Sequence, residues 1–169
     1  FPELSPQELH DLHVRWTYTQ LRDLEPCQLA PRDRRPDRRL RIGLVSPDLR
    51  MHPVGRFIAA WFEHHDRTQF ETFVYADVQR PDEWTAWLEA RAALWRDVRN
   101  LKHAKLCEQI MTDEIDVLVD LAGHTSHNRL PVFAMRPAPV QVSYLGYPNT
   151  TGLTTIDYLI TDAIADPPG

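Results

Sequence analysis

Residues 40–76 read LRIGLVSPDLRMHPVGRFIAAWFEHHDRTQFETFVYA, and this stretch decides the fold. Leu40–Ser46 (LRIGLVS) is a short run rich in branched apolar residues, which reads as a buried strand. From Val54 to His65 the apolar positions Val54, Phe57, Ile58, Trp61 and Phe62 return at helical spacing. Phe70–Ala76 (FETFVYA) is a second strand. Strand, helix and strand in quick succession imply a right-handed crossover between parallel neighbours.

The alternation continues downstream. Pro81–Trp95 reads as a helix with Trp84, Trp87, Leu88, Ala92 and Trp95 on one side and Arg91 as a polar interruption. These tryptophans, with Trp61, read as core side chains rather than a substrate platform. A short extended piece near Val98 leads to a helix over Lys102–Asp113. Asp116–Leu121 (DVLVDL) is a buried strand closed by Ala122-Gly123. Arg129–Met135 is a short helix that carries Pro131 in its first turn. Val140–Tyr144 (VQVSY) and Tyr158–Thr161 (YLIT) are the last strands. Upstream, Ser5–Leu24 reads as a helix: Ser5 is a good N-cap, Pro6 suits the first position and Glu8 stands three residues after the cap. Its apolar face is Leu9, Leu12, Trp16 and Leu21. Pro31–Arg39 (PRDRRPDRR) is a charged linker whose arginines read as a solvated face. The expected organisation is a linker helix and charged linker over residues 1–38, then one α/β domain over residues 39–169. That domain is Rossmann-like, a mostly parallel sheet with helices on both faces.

Composition narrows the function. With 43% hydrophobic and 25% charged residues, 169 residues suffice for a single core. A net charge of −5 argues against nucleic acid, whose phosphates need a basic surface. Cys27 and Cys107 are too few and too irregular for a disulfide framework or a zinc site, which fits a reducing compartment. No apolar run nears the roughly 18–20 residues that span a bilayer, and no signal peptide opens the chain, so the expected location is cytoplasmic, with no membrane partner. Phe1 follows no initiator Met, and the sequence stops in Asp166-Pro167-Pro168-Gly169, so a fragment of a longer protein is expected.

In parallel sheets, ligands bind beyond the carboxyl ends of the strands. Three loops qualify: Pro47–Pro53 after the first strand, Ala122–Asn128 after DVLVDL, and Leu145–Gly152 after VQVSY. Each residue also has a plain reading. Asp48 suits a turn, His52 precedes a helix, His124 and His127 suit a surface, and Gly146, Pro148 and Gly152 suit turns. The convergence of all three loops on one edge favours a site. The sequence contains no G-x-G-x-x-G after the first strand, no G-x-x-x-x-G-K-[ST], no H-E-x-x-H and no G-x-S-x-G. Receiver-type phosphorylation domains share an acidic residue after the first strand, but the paired acids and partnering lysine are not evident.

RIGLVSPDLRMHP, VDLAGHTSHNRLPVFAMRPAPVQVSYLGYPNTTG and DYLITD resemble the N-terminal catalytic lobe of protein O-GlcNAc transferases, including bacterial and SPINDLY-type members. The resemblance runs from about Arg39 to Pro167. It implies a GT-B architecture of two Rossmann-like lobes preceded by tetratricopeptide repeats. The implied reaction is inverting transfer of N-acetylglucosamine from UDP-GlcNAc to Ser or Thr hydroxyls of proteins, with no cofactor and no essential metal. The helix near the N-terminus resembles the segment that joins repeats to lobe. The second lobe, its diphosphate-steadying lysine and the repeats are the implied partners in the same protein. This lobe alone is expected to be inactive and to bind UDP weakly.

Carried across by resemblance, His52 falls at the family's active-site His-Pro motif and Asp48 at an acidic residue proposed as an alternative or assisting base. Pro53 and Val54 fall where the family lines the acceptor pocket, with Val54 replacing a frequent Thr. His124 falls where animal members carry Tyr and many bacterial members His. Leu145, Gly146 and Pro148 match the loop facing the donor sugar, where Gly146 would let backbone approach the sugar. A further family histidine lies upstream of Phe1, and neither His10 nor His13 matches it. Histidine, with an ordinary pKa near 6.5, suits proton transfer from a hydroxyl at neutral pH, worth about 10²–10⁴ in rate. The alternatives are an O-fucosyltransferase using GDP-fucose, as in SPINDLY relatives, and a non-catalytic α/β binding or regulatory module.

Overall fold

The computed structural model describes residues 4–31, 33, 35 and 37–165. The closing Asp-Pro-Pro-Gly and three positions of the charged linker lie outside the described residues. The elements run α1 (Pro6–Leu21), β1 (Leu40–Ser46), α2 (Pro53–His64), β2 (Phe70–Ala76), α3 (Glu83–Glu89), β3 (Leu94–Asp97), α4 (His103–Thr112), β4 (Val117–Asp120), α5 (Leu130–Ala134), β5 (Val140–Tyr144) and β6 (Tyr158–Ile160). Among the described residues the six strands form one sheet in the order β3-β2-β1-β4-β5-β6, and every pairing is parallel. This is the doubly wound order, with β1 at the reversal point.

Strand alternation splits the core in two. Ile42, Leu44, Val74, Ala76, Val119 and Val142 join Val54, Ile58 and Phe62 of α2 and Leu88 of α3 on one face. Val45, Tyr75 and Leu118 join Leu106, Cys107 and Ile110 of α4 and Val132 and Phe133 of α5 on the other. Each fully buried Val, Leu, Ile or Phe contributes about 1.5–3 kcal/mol, so α2 is held mainly by its 54-58-62 stripe. Buried Asp113 is paired: it accepts from Tyr75 Oη at 2.7 Å and from Arg96 Nε at 2.8 Å. Arg38 of the linker is paired with Asp116 at the amino edge of the strands.

Two expectations are corrected. The helix expected over Pro81–Trp95 ends at Glu89, and Trp95 lies in β3. Ala93 N–H already donates to Thr72 O at 2.9 Å, so pairing with β2 captures this segment. Trp84 and Trp87 do stack, at 5.2 Å between centroids, with Arg91 over the Trp87 ring. On α1 the buried face is His13, Thr17 and Leu21, while Leu12 and Trp16 are exposed. The reason is that α1 packs on polar loops rather than on an apolar layer. Its cap is as expected: Ser5 Oγ accepts from Glu8 N–H and the Glu8 carboxylate accepts from Ser5 N–H at 2.8 Å.

Candidate active site

Because the strands are parallel, the loops after β1, β4 and β5 open on one edge of the sheet. In the first loop, Asp48 N–H donates to Ser46 Oγ at 3.0 Å. His52 is the N-cap of α2, with φ −144° and ψ 153°, and its Nδ1 accepts from Val54 N–H at 3.3 Å. An accepting Nδ1 places the proton of the neutral ring on Nε2, which lies 3.9 Å from Asp48 Oδ1. At that distance the pair is not hydrogen-bonded. Both side chains remain partly open, at 34% and 16% exposure. The capping reading of His52 and its place beside a carboxylate therefore hold together. Pro53 is exposed at the first position of α2, whereas Val54 is buried in the core beneath the loop. What Val54 offers the edge is its backbone.

The β4 loop hangs from Asp120, which is 1% exposed. Its two oxygens accept from Ala122 N–H at 3.0 Å and Gly123 N–H at 2.9 Å. Burial pushes its carboxyl up to about 6, against the pull of those two bonds. His124 Nε2 donates to Thr151 O at 2.9 Å. Burial holds His124 below the ordinary histidine range.

The β4 and β5 loops interlock. Gly123 has φ +55°, and a Cβ there would lie 2.3 Å from the Tyr147 Cβ. A Cβ on Gly146 would lie 1.9 Å from Leu121 O. The neighbouring strand end by itself thus demands a glycine at 146. Leu145 adopts φ +70° and packs against the first core cluster. Pro148 is exposed and lines, with Phe57, Tyr144, Leu145 and Tyr158, a cavity of about 840 Å³. A larger cavity, about 1080 Å³, lies at the opposite edge among Leu40, Phe70, Asp116 and the linker. It is remote from the glycine loops and their histidines.

Several contributors were not legible in advance. His13 Nδ1 donates to Leu9 O at 2.6 Å, so the neutral ring accepts at Nε2 from Tyr147 Oη at 2.8 Å. Thr17 Oγ1 donates to Thr151 O at 2.9 Å. The His124 ring meets His13 at 4.7 Å, Trp16 at 4.9 Å and Tyr147 at 5.5 Å between centroids. The structure thus brings Asp48 to His52, and His124 to Tyr147 and α1. The contacts of His124 run to α1 and the β5 loop rather than to His52. The spacing of four between His13 and Thr17 is the one trace of this face in the sequence, and its meaning depends on a partner far along the chain. Arg129 is engaged structurally, donating to Asp77 Oδ2 at 2.8 Å and Val98 O at 2.8 Å. Among the described residues no group of three His, Cys, Asp or Glu side chains is placed to hold a metal.

Residues 17–168 match the family described as Glycosyl transferase family 41. The chain is 41% identical over 170 residues to a protein of Solanum lycopersicum named "Probable UDP-N-acetylglucosamine--peptide N-acetylglucosaminyltransferase SPINDLY", covering 98% of this chain and 18% of that protein. It is 39% identical over 131 residues to the UDP-N-acetylglucosamine--peptide N-acetylglucosaminyltransferase of Caenorhabditis elegans, covering 76% of this chain and 11% of the other. A solved structure of a Thermobaculum terrenum O-GlcNAc transferase mutant, K341M, superposes with a TM-score of 0.89 at 46% identity, covering 95% of this chain and 31% of that one. The chain therefore spans less than a third of each of these proteins.

Proposed function

Since the chain belongs to glycosyl transferase family 41, we propose that it forms the N-terminal lobe of an inverting GT-B enzyme that moves N-acetylglucosamine from UDP-GlcNAc to Ser or Thr hydroxyls of proteins. The observation that carries this reading is the Asp48–His52 pair on the carboxyl edge of β1, beside the interlocked glycine loops. A hydroxyl must lose its proton as it attacks the anomeric carbon. In this reading the hydroxyl proton passes to a carboxylate oxygen of Asp48, and the His52 Nε2–H on the same side of the loop steadies that carboxylate. Leu145, Gly146 and Pro148 would border the donor sugar, with His124 behind them. Pro53 and the Val54 backbone would border the acceptor.

In this reading the diphosphate is balanced by a second lobe of the same protein, and tetratricopeptide repeats precede α1. The two free thiols, Cys27 and Cys107, fit a reducing cytoplasm. No helix among the described residues is long and apolar enough to cross a membrane.

The test is sugar transfer by the full-length protein to a peptide, with UDP-GlcNAc and GDP-fucose in parallel. His52→Ala lowers turnover at least about tenfold without a large fall in Tm, because a positioned acid or base contributes about 10²–10⁴. Asp48→Asn lowers it as well. Unchanged turnover in both variants removes the pair from the chemistry. Transfer only from GDP-fucose reassigns the donor.

A further inference from the structure

The loop that carries Asp48 and His52 is shaped by local bonds. Arg50 N–H donates to Asp48 O at 2.8 Å and His52 N–H to Arg50 O at 2.6 Å. Each spans two residues, so each sets a curve without fixing where the curve sits. From below, Leu49 is fully buried in the first core cluster and the loop rests on the first turn of α2, where a Cβ on Gly55 would lie 2.2 Å from Arg50 O. From the side it is tied by one residue 31 positions downstream: Met51 N–H donates to Asp82 Oδ2 at 2.7 Å.

Asp82 already has a task as the N-cap of α3. Its Oδ1 accepts from Thr85 N–H at 2.9 Å, and Thr85 Oγ1 accepts from Asp82 N–H at 3.1 Å. Capping needs a single side-chain oxygen, and Ser or Asn supplies one as well as Asp does. The second oxygen is the part that capping leaves unexplained. It reaches the backbone between Asp48 and His52, so a shift at Met51 moves both side chains together. The Met51 bond, ahead of the Thr85 bonds, holds the Asp82 carboxyl below its ordinary range.

We propose that Asp82 is a positioning residue for the proposed transfer reaction, its second carboxylate oxygen fixing the loop that presents Asp48 and His52. This rests on the glycosyltransferase reading for its catalytic consequence but not for the anchoring itself. Misplacement by about 1 Å costs up to about a hundredfold in rate.

The experiment uses the full-length protein and two variants. Asp82→Ser keeps an N-cap but loses the second oxygen. Its kcat for peptide glycosylation is expected to fall about ten- to a hundredfold, with KM for UDP-GlcNAc little changed and Tm nearly kept. Thr85→Val removes the hydroxyl that accepts from Asp82 N–H but leaves both Asp82 oxygens. It is expected to lower Tm and keep kcat. Hydrogen–deuterium exchange of the peptide spanning residues 47–54 is read on both, and should quicken in Asp82→Ser alone. Wild-type kcat and unchanged loop exchange in Asp82→Ser overturn the proposal. Quickened exchange with intact kcat overturns its catalytic half. A wild-type protein that transfers no sugar overturns the function reading, and the exchange result then decides the anchoring separately.

Discussion

Tyr147 Oη lies 2.8 Å from His13 Nε2, joining the β5 loop to α1 across 134 positions of sequence. The bond is part-buried, and His13 itself is 8% exposed. Tyr147→Phe keeps the ring contacts and deletes only the hydroxyl. It should cost about 1–3 kcal/mol, because His13 Nε2 is left buried without a partner. Faster amide exchange in α1, together with that loss in urea denaturation, is the expected result. Exchange in α1 at the wild-type rate contradicts the docking role.

Gly146 is the position where a single methyl group should do most damage. The obstruction is the Leu121 carbonyl, a backbone atom that cannot rotate aside as a side chain can. Gly146→Ala should destabilise by about 3 kcal/mol, the upper end of the overpacking range. The loss should appear as an earlier urea midpoint at unchanged m-value. A variant as stable as the wild type would show that the loops yield without cost.

Asp120 makes stability depend on pH in the reverse of the usual carboxylate sense. Its folded pKa, about 6, stands above the ordinary 3.8, so the folded state holds its proton longer than the unfolded chain does. Below pH about 4 both states are protonated and Asp120 adds no penalty. As pH rises through about 6 the buried carboxyl must ionise, and roughly 3 kcal/mol is lost. Comparing Asp120→Asn with wild type by urea denaturation from pH 4 to 7 isolates this contribution. The difference between the two curves should change across pH 4–6 and level off above. A constant difference would mean that Asp120 ionises with no penalty.

Local chemistry made much of the fold readable. The spans of β1, β2 and β5 follow directly from short branched runs, and the capping box of α1 from Ser5 and Glu8. The end of α3 did not follow. Trp84, Trp87, Leu88, Ala92 and Trp95 keep helical spacing, but pairing of Leu94–Asp97 with Phe73–Ala76 overrides it. The loops of the candidate site were legible because parallel strands deliver their carboxyl ends to one edge. The groups that hold those loops were not. Asp82 and His13 act on backbone or hydroxyl groups 31 and 134 positions away, and no periodicity records such a bond.

The sheet order also sets a timetable for synthesis. β1 sits at the centre, yet its partner β4 is translated about 70 residues after it, or roughly 4–14 s later at about 5–20 residues per second. Until then one edge of LRIGLVS has no neighbour, while β2 covers the other. The nascent chain thus carries an open, apolar strand edge outside the ribosome for seconds. That interval is when a chaperone has most to protect, and when slow codons between Ala76 and Val117 would lengthen the exposure.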